Sequence, residues 1–152
     1  MKICVNSVED TLALGKKIGE LVNPGDIICI DGDLGTGKTH LTKGIALGLD
    51  IHEYITSPTF NIVNEYNGRL KLFHFDVYRV SDVDEIQAIG FDEYIFSDAV
   101  SVIEWSKYIE PLIPKEHLSI NIYKDPHKGE DYRCFVFSYT SSKYKYVDTL
   151  KL

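Results

Sequence analysis

Residues Gly32-Asp33-Leu34-Gly35-Thr36-Gly37-Lys38-Thr39 spell G-x-x-x-x-G-K-[ST], a complete Walker A pattern. Its flanks constrain the fold as much as the motif does. Asp26-Ile27-Ile28-Cys29-Ile30-Asp31 before it is an apolar run of buried-strand type. After it, Leu41, Ile45 and then Leu47 or Leu49 recur at helical spacing. Strand, glycine loop and helix follow in the order that a phosphate cradle requires. Glycines let consecutive N–H groups turn inward around an anion, and the helix N-terminus adds partial positive charge. Lys38 supplies an ammonium for the β- and γ-phosphates, and the Thr39 hydroxyl is placed to ligate Mg²⁺. Chance would give the four fixed positions in a chain of this length only about 0.5% of the time. The motif predicts nucleoside triphosphate binding by Asp33, Leu34, Gly35, Thr36, Gly37, Lys38 and Thr39.

A chain of 152 residues is most simply one domain, residues 1–152, with a proper core. Its net charge of −7 argues against autonomous nucleic-acid binding, which needs a basic face to displace counterions. A complex whose partner brings the positive charge stays open. Cys4, Cys29 and Cys134 are odd in number and widely spaced, so they predict neither a zinc site nor a disulfide framework. Cys29 reads as a small core residue. The N-terminus has no long apolar segment, which predicts no signal peptide or membrane span and a reducing, cytoplasmic setting.

Further readings follow the pattern along the chain. Ile3 to Val5 is a short strand, and Ser7 caps a helix carrying Glu9 and Asp10 in its first turn. Leu12, Ile18, Leu21 and Val22 form its apolar face, and Asn23-Pro24-Gly25 stops it. Phe60 to Tyr66 and Leu70 to Tyr78 alternate around Asn67-Gly68, a hairpin signal. Asp82 caps a helix from Val83 to about Ile89, ended by Gly90. Ala99 to Ile103 is a buried strand, and Lys107 to Leu112 is one or two helical turns. Leu118 to Tyr123 and Tyr132 to Tyr139 make a second hairpin. Ser141 to Leu152 is a polar tail without an assigned element. The sum is an α/β, three-layer P-loop NTPase domain whose mixed central sheet contains antiparallel hairpins.

A glycine loop of this kind needs an acid at the end of a neighbouring strand. Two runs end in one: Leu70 to Asp76, and Ala99 to Glu104. The second is more continuously apolar, as a central strand should be, so Glu104 is favoured as metal ligand or water activator. Asp76 is then the other acid. Each acid alone is equally suited to capping a strand or pairing with a base. Ser57-Pro58-Thr59 reads either as a switch that senses the γ-phosphate or as a turn shaped by Pro58. Trp105 reads as core or as a shield beside Glu104. Arg79 reads as a surface ion pair first and a charge-stabilising arginine second. His74, on the opposite strand face from Phe73 and Phe75, reads as structural.

These residues together resemble the bacterial TsaE (YjeE) family. The resemblance lies in Asp31 to Thr39, Ser57-Pro58-Thr59-Phe60, His74-Phe75-Asp76-Val77-Tyr78-Arg79 and Ile103-Glu104-Trp105, in that order. Phe91-Asp92-Glu93-Tyr94 is similar to a further family stretch. The resemblance covers about residues 5 to 125; beyond Tyr123 only strand character matches. It implies a small ATPase that acts with the TsaB–TsaD pair in threonylcarbamoylation of the tRNA adenosine beside the anticodon. It further implies that nucleotide-dependent binding and hydrolysis reset that pair, so that tRNA is engaged indirectly. By position it implies ATP and Mg²⁺ as cofactors, Lys38 and Thr39 on phosphate and metal, Glu104 as a Mg²⁺ ligand, and Asp76 as a catalytic or metal-shell acid. Thr59 falls in the switch-like segment, and Trp105 lies beside the nucleotide.

A small-molecule kinase is the main rival, but it would need several arginines in a lid, and this chain has only Arg69, Arg79 and Arg133. No N-K-x-D segment reads guanine, which favours ATP over GTP. A non-enzymatic nucleotide sensor is the third reading and merges with the family one.

Overall fold

The computed structural model describes residues 1–58 and 61–152. Strand β1 (Lys2–Val5) leads into α1 (Val8–Leu21). Ser7 accepts a hydrogen bond from the Asp10 N–H at 3.1 Å, which satisfies one of the helix's orphan donors. Strand β2 (Ile27–Gly32) and α2 (Lys38–Gly48) flank the Walker A loop. The chain continues through β3 (Val63–Tyr66), β4 (Leu72–Asp76), α3 (Val83–Ala88), α4 (Phe91–Ile95), β5 (Val100–Glu104), β6 (Leu118–Lys124) and β7 (Arg133–Tyr139). Short 3₁₀ segments cover Ser106–Leu112 and Ser142–Thr149.

The strands form one sheet in the order β1-β7-β6-β2-β5-β4-β3. Strands β6, β2, β5 and β4 are mutually parallel, and β3, β7 and β1 add antiparallel edges. The mixed sheet and both hairpins are as the sequence predicts. One face packs against α1 and α2 through Ile28, Ile30, Leu41, Ile45, Val100 and Val102. The other packs Cys29, Phe75 and Ile103 under Ile86, Phe91 and Ile109. Among the described residues no helix is long and apolar enough to cross a membrane.

Helices α1 and α2 meet along a seam of glycines. A Cβ on Gly15 would stand 2.8 Å from Gly44 Cα, and one on Gly19 would stand 2.1 Å from the Ile45 carbonyl oxygen. Both distances are below what real atoms tolerate, so only glycine allows the helices this close.

Several details depart from the sequence reading. The β3–β4 connection runs over residues 67–71, longer than the two-residue turn that Asn-Gly favours. Gly68 instead makes room for the Leu49 carbonyl, 2.2 Å from where a Cβ would sit, and the Arg69 N–H donates to that same oxygen at 2.6 Å. The helix predicted to run to Ile89 stops at Ala88, and Gly90, at φ +83°, starts a second short helix. The expectation of no disulfide framework does not hold for one pair: Cys4 and Cys134 sit opposite each other in the β1–β7 register and are disulfide-bonded. Their 130-residue separation hid the pairing, because only the sheet brings them together. Cys29 is buried in the core as expected, and burial pushes its thiol up to about 12.

The tail is structured by polar contacts to the start of β2. Buried Tyr144 accepts from the Ile27 N–H at 3.0 Å and donates to the Glu116 carbonyl at 3.3 Å. Tyr146 donates to buried Asp26 at 2.6 Å, and Lys143 lies 3.5 Å from the same carboxylate.

Candidate functional site

Strand β2 delivers the Walker A loop to the C-terminal edge of the parallel strands. There it turns through Gly35 (φ +76°) and Gly37 (φ +96°) into α2. Both values lie in the left-handed region, where a side chain is strained, so the two glycines are required by the turn. Lys38 opens the helix, and its side chain folds back over the loop. Its ammonium donates to the carbonyls of Gly32 (2.7 Å) and Asp33 (2.8 Å), contacts Thr36 Oγ1 at 3.4 Å and lies 3.9 Å over the Trp105 ring. Among the described residues no carboxylate stands within ion-pair distance of it. Burial pulls the ammonium below its ordinary 10.5, against the opposing field of Glu104, Asp31, Asp76 and Asp33.

Strand alternation decides which acids face the loop. Leu72, His74 and Asp76 share one face of β4, while Phe73 and Phe75 take the other. On β5, Val100, Val102 and Glu104 share the same site-side face. Asp76 and Glu104 are direct neighbours in the β4–β5 register. The end of β5 is held on both sides. Trp105 N–H donates to the Ile30 carbonyl at 3.0 Å, and Val77 N–H to the Glu104 carbonyl at 3.2 Å.

Glu104 is buried and collects three donors. Thr39 Oγ1 donates to Oε1 at 3.0 Å, Thr42 Oγ1 to Oε2 at 3.0 Å, and His74 donates its Nε2–H to Oε2. Thr39 Oγ1 also meets Ser57 Oγ at 3.0 Å. The sequence reading of Glu104 next to Thr39 therefore corresponds to a built corner. Asp76 is half-buried; its Oδ1 accepts from the Tyr78 N–H at 3.1 Å, and Oδ2 has no hydrogen-bond partner among the described residues. Burial raises its carboxyl above the usual carboxylate range, partly offset by the Tyr78 N–H and further raised by the Glu104 charge.

Loop, acids and aromatics line one groove of ≈ 680 Å³. Leu34 to Thr39 form its floor, and Ser57, Asp76, Arg79, Glu104 and Trp105 its far wall. Asp33 is exposed at the loop's outer end. Trp105 is half-buried, sits at φ +63° and stacks on Tyr108 at 5.7 Å, with Tyr78 4.6 Å away. A non-glycine residue in this conformation is strained and persists because its neighbours fix it. Arg79 is exposed on the groove and, contrary to the ion-pair reading, makes no salt bridge among the described residues. Thr59, expected to face this site, lies outside the described residues.

Sequence reasoning missed three contributors. His74 was legible: it stands two residues before Asp76, on the same strand face. Thr42 lies one helical turn beyond Lys38, which places it beneath Glu104. Arg133, which reaches the loop from β7, carried no local signal.

The donor set at the corner is oxygen only, a hydroxyl beside a carboxylate, and fits Mg²⁺ better than a soft metal. Among the described residues no cluster of three or more His, Cys, Asp or Glu is present. A site that shares its metal with phosphate oxygens needs none. The unpaired Lys38 ammonium and the glycine turn fit the phosphate that would accompany the metal.

A family model described as "Threonylcarbamoyl adenosine biosynthesis protein TsaE" matches residues 5–132. A Bacillus subtilis (strain 168) protein named tRNA threonylcarbamoyladenosine biosynthesis protein TsaE is 42% identical over 138 residues, covering 90% of this chain and 84% of that protein. The Treponema pallidum (strain Nichols) protein of the same name is 38% identical over 122 residues, 80% of this chain and 90% of that one. The crystal structure of YdiB from Bacillus subtilis superposes with a TM-score of 0.80 at 37% identity, covering 97% of this chain and 90% of that chain.

Proposed function

The chain belongs to the TsaE family, whose named role is tRNA threonylcarbamoyladenosine biosynthesis, and from that membership we propose that it is a Mg²⁺-dependent ATPase. In this reading it acts in the cytoplasm with a TsaB–TsaD-like pair, and its nucleotide cycle resets that pair between rounds of tRNA modification. It touches tRNA through its partners, in keeping with the net charge of −7.

The observation that carries the ATPase reading is the corner at Thr39. Its hydroxyl is hydrogen-bonded to Glu104 at 3.0 Å, directly after a Lys38 ammonium that meets neutral oxygens and the Trp105 ring and, among the described residues, no carboxylate. Lys38 and the loop N–H groups bind and orient the phosphates, while Thr39 and Glu104 hold the metal. Mg²⁺ there supplies positive charge at the phosphate oxygens. Thr42 and His74 fix the Glu104 carboxylate from behind. Asp76 Oδ2, on a carboxyl of raised proton affinity, orients water and accepts its proton.

The arginines argue against the kinase alternative. Arg69 donates to the Gly19 carbonyl at 2.7 Å, far from the groove, and Arg133 is bound to backbone carbonyls. Arg79 and Arg133 both line the groove, but the Arg133 guanidinium is spread over four backbone carbonyls, so among the described residues two arginines at most could meet a transferred phosphoryl group, fewer than a kinase lid supplies. The same shortage makes slow hydrolysis by the isolated chain the expected result.

The test is ATP hydrolysis by the purified chain, alone and with the TsaB–TsaD-like pair of the same organism, with Lys38→Ala and Glu104→Ala as controls. Slow turnover that rises with the pair and disappears in both variants supports the reading. Turnover indifferent to the pair refutes the partnership and returns the kinase to the front.

A further inference from the structure

We infer that Arg133, from the first position of β7, is a positioning residue that sets the Walker A loop in its anion-binding conformation; this rests on the nucleotide-binding reading of the loop. A loop that aims its N–H groups inward must aim its carbonyls outward, and those carbonyls need partners. Arg133 provides them. Its Nε–H donates to the Thr36 carbonyl at 2.9 Å and its Nη2–H to the Gly35 carbonyl at 3.2 Å. The adjoining β6 contributes in the same direction, with Lys124 Nζ 3.5 Å from the Leu34 carbonyl. Three consecutive loop carbonyls thus face cations of the terminal hairpin.

The guanidinium is itself fixed. Its Nη1 donates to the carbonyls of Glu130 (2.7 Å) and Tyr132 (2.8 Å). Among the described residues no acid lies within ion-pair distance of it, so its charge is not cancelled. A rigid fork can hold two successive carbonyls at once, whereas a lysine ammonium is a point charge on a flexible stem. Gly35 and Gly37 sit in a backbone region from which a free glycine would escape at little cost, so the loop needs an external brace.

The experiment compares wild type, R133K and R133A. Calorimetry gives the affinity for MgADP at low and high salt, thermal melts report folding, and amide NMR of the ligand-free protein reports on Gly35, Thr36 and Gly37. The expected result is a loss of about tenfold in affinity for R133K and more for R133A, the scale of charge-assisted hydrogen bonds. The loss should persist at high salt, with displaced loop amides in both variants. Wild-type affinity in R133K, with unmoved loop amides, overturns the inference, since charge alone then suffices. A loss in R133A that vanishes at high salt overturns it as well. If R133A fails to fold, R133K decides. A wild type that binds no MgADP sinks the nucleotide reading itself, a different outcome from a wild type that binds and an R133K that matches it.

Discussion

Replacing Glu104 by glutamine separates the chemistry of the site from its packing. Glutamine has nearly the volume of glutamate, so it leaves no cavity at this buried position. With its amide oxygen in the place of Oε2, it still accepts from Thr42 and His74. Its amide nitrogen then donates to Thr39 Oγ1, whose own proton turns to Ser57 Oγ, 3.0 Å away. Thr39, Thr42 and His74 each keep a partner, while the second amide N–H gains none. Three charge-assisted hydrogen bonds become neutral ones at a loss of about 1 kcal/mol each. Against that stands the relief of no longer burying a charge, of opposite sign and similar size. Net stability should therefore move by under about 2 kcal/mol, or roughly 8 °C at most in Tm for a chain of this length. Hydrolysis should fall by about 10²–10³, equivalent to ~2.7–4 kcal/mol of barrier, as for other losses of a fixed charge at a reacting centre. Glu104→Ala is the less discriminating change, because it leaves a cavity, removes the only acceptor of the buried His74 Nε2–H among the described residues and costs stability of about 3–5 kcal/mol as well. The measurement is steady-state ATP turnover with the partner pair, alongside a thermal melt. Turnover within threefold of wild type in a folded E104Q protein refutes the reasoning and makes Glu104 a structural acid.

Asp76→Asn should raise Tm at pH 7 while abolishing partner-stimulated turnover. The folded protein disfavours the ionised carboxyl, so the native charge is a cost above the ordinary 3.8, and the gain from its removal should shrink as pH falls toward that value. A variant less stable than wild type at pH 7 contradicts the burial argument. Tyr144→Phe leaves the Ile27 N–H and the Glu116 carbonyl without their partner, and urea unfolding should show a loss of about 1–3 kcal/mol. A change below ~0.5 kcal/mol would mean that the tail is not integral to the fold.

What the sequence disclosed is what depends on near neighbours along the chain. The glycine loop, the Ser7 and Asp82 caps, and the strand alternation placing Asp76 and Glu104 on one face are short-range patterns, and the structure places them so. His74 shows that the same alternation held more than was drawn from it. What the sequence withheld depends on partners brought close only by the sheet. Cys4 meets Cys134 through the pairing of the first and last strands, and Arg133 reaches the loop from 97 residues away. Gly68 is informative for an opposite reason: its local hairpin signal is real, yet its position is determined by the Leu49 carbonyl behind it. The tail looked featureless because its polar anchors are single tyrosine hydroxyls, one meeting the Ile27 N–H and the other the Asp26 carboxylate, at the entry to β2.

The glycine seam between α1 and α2 ties the opening of the site to residues well away from it. Lys38 and Thr39 are the first turn of α2, so the axis of that helix is the datum from which the proposed phosphate and metal ligands are measured. Its last turn is registered against α1 at Gly48, where an added Cβ would come within 2.2 Å of the Lys16 carbonyl oxygen. Along this seam evolution has no smaller residue to fall back on. Drift at Gly15, Gly19, Gly44 and Gly48 should be as restricted as at Asp76 and Glu104, though none of the four lines the groove. A saturation map of tolerated substitutions would then show two separate forbidden zones, one for chemistry and one for alignment.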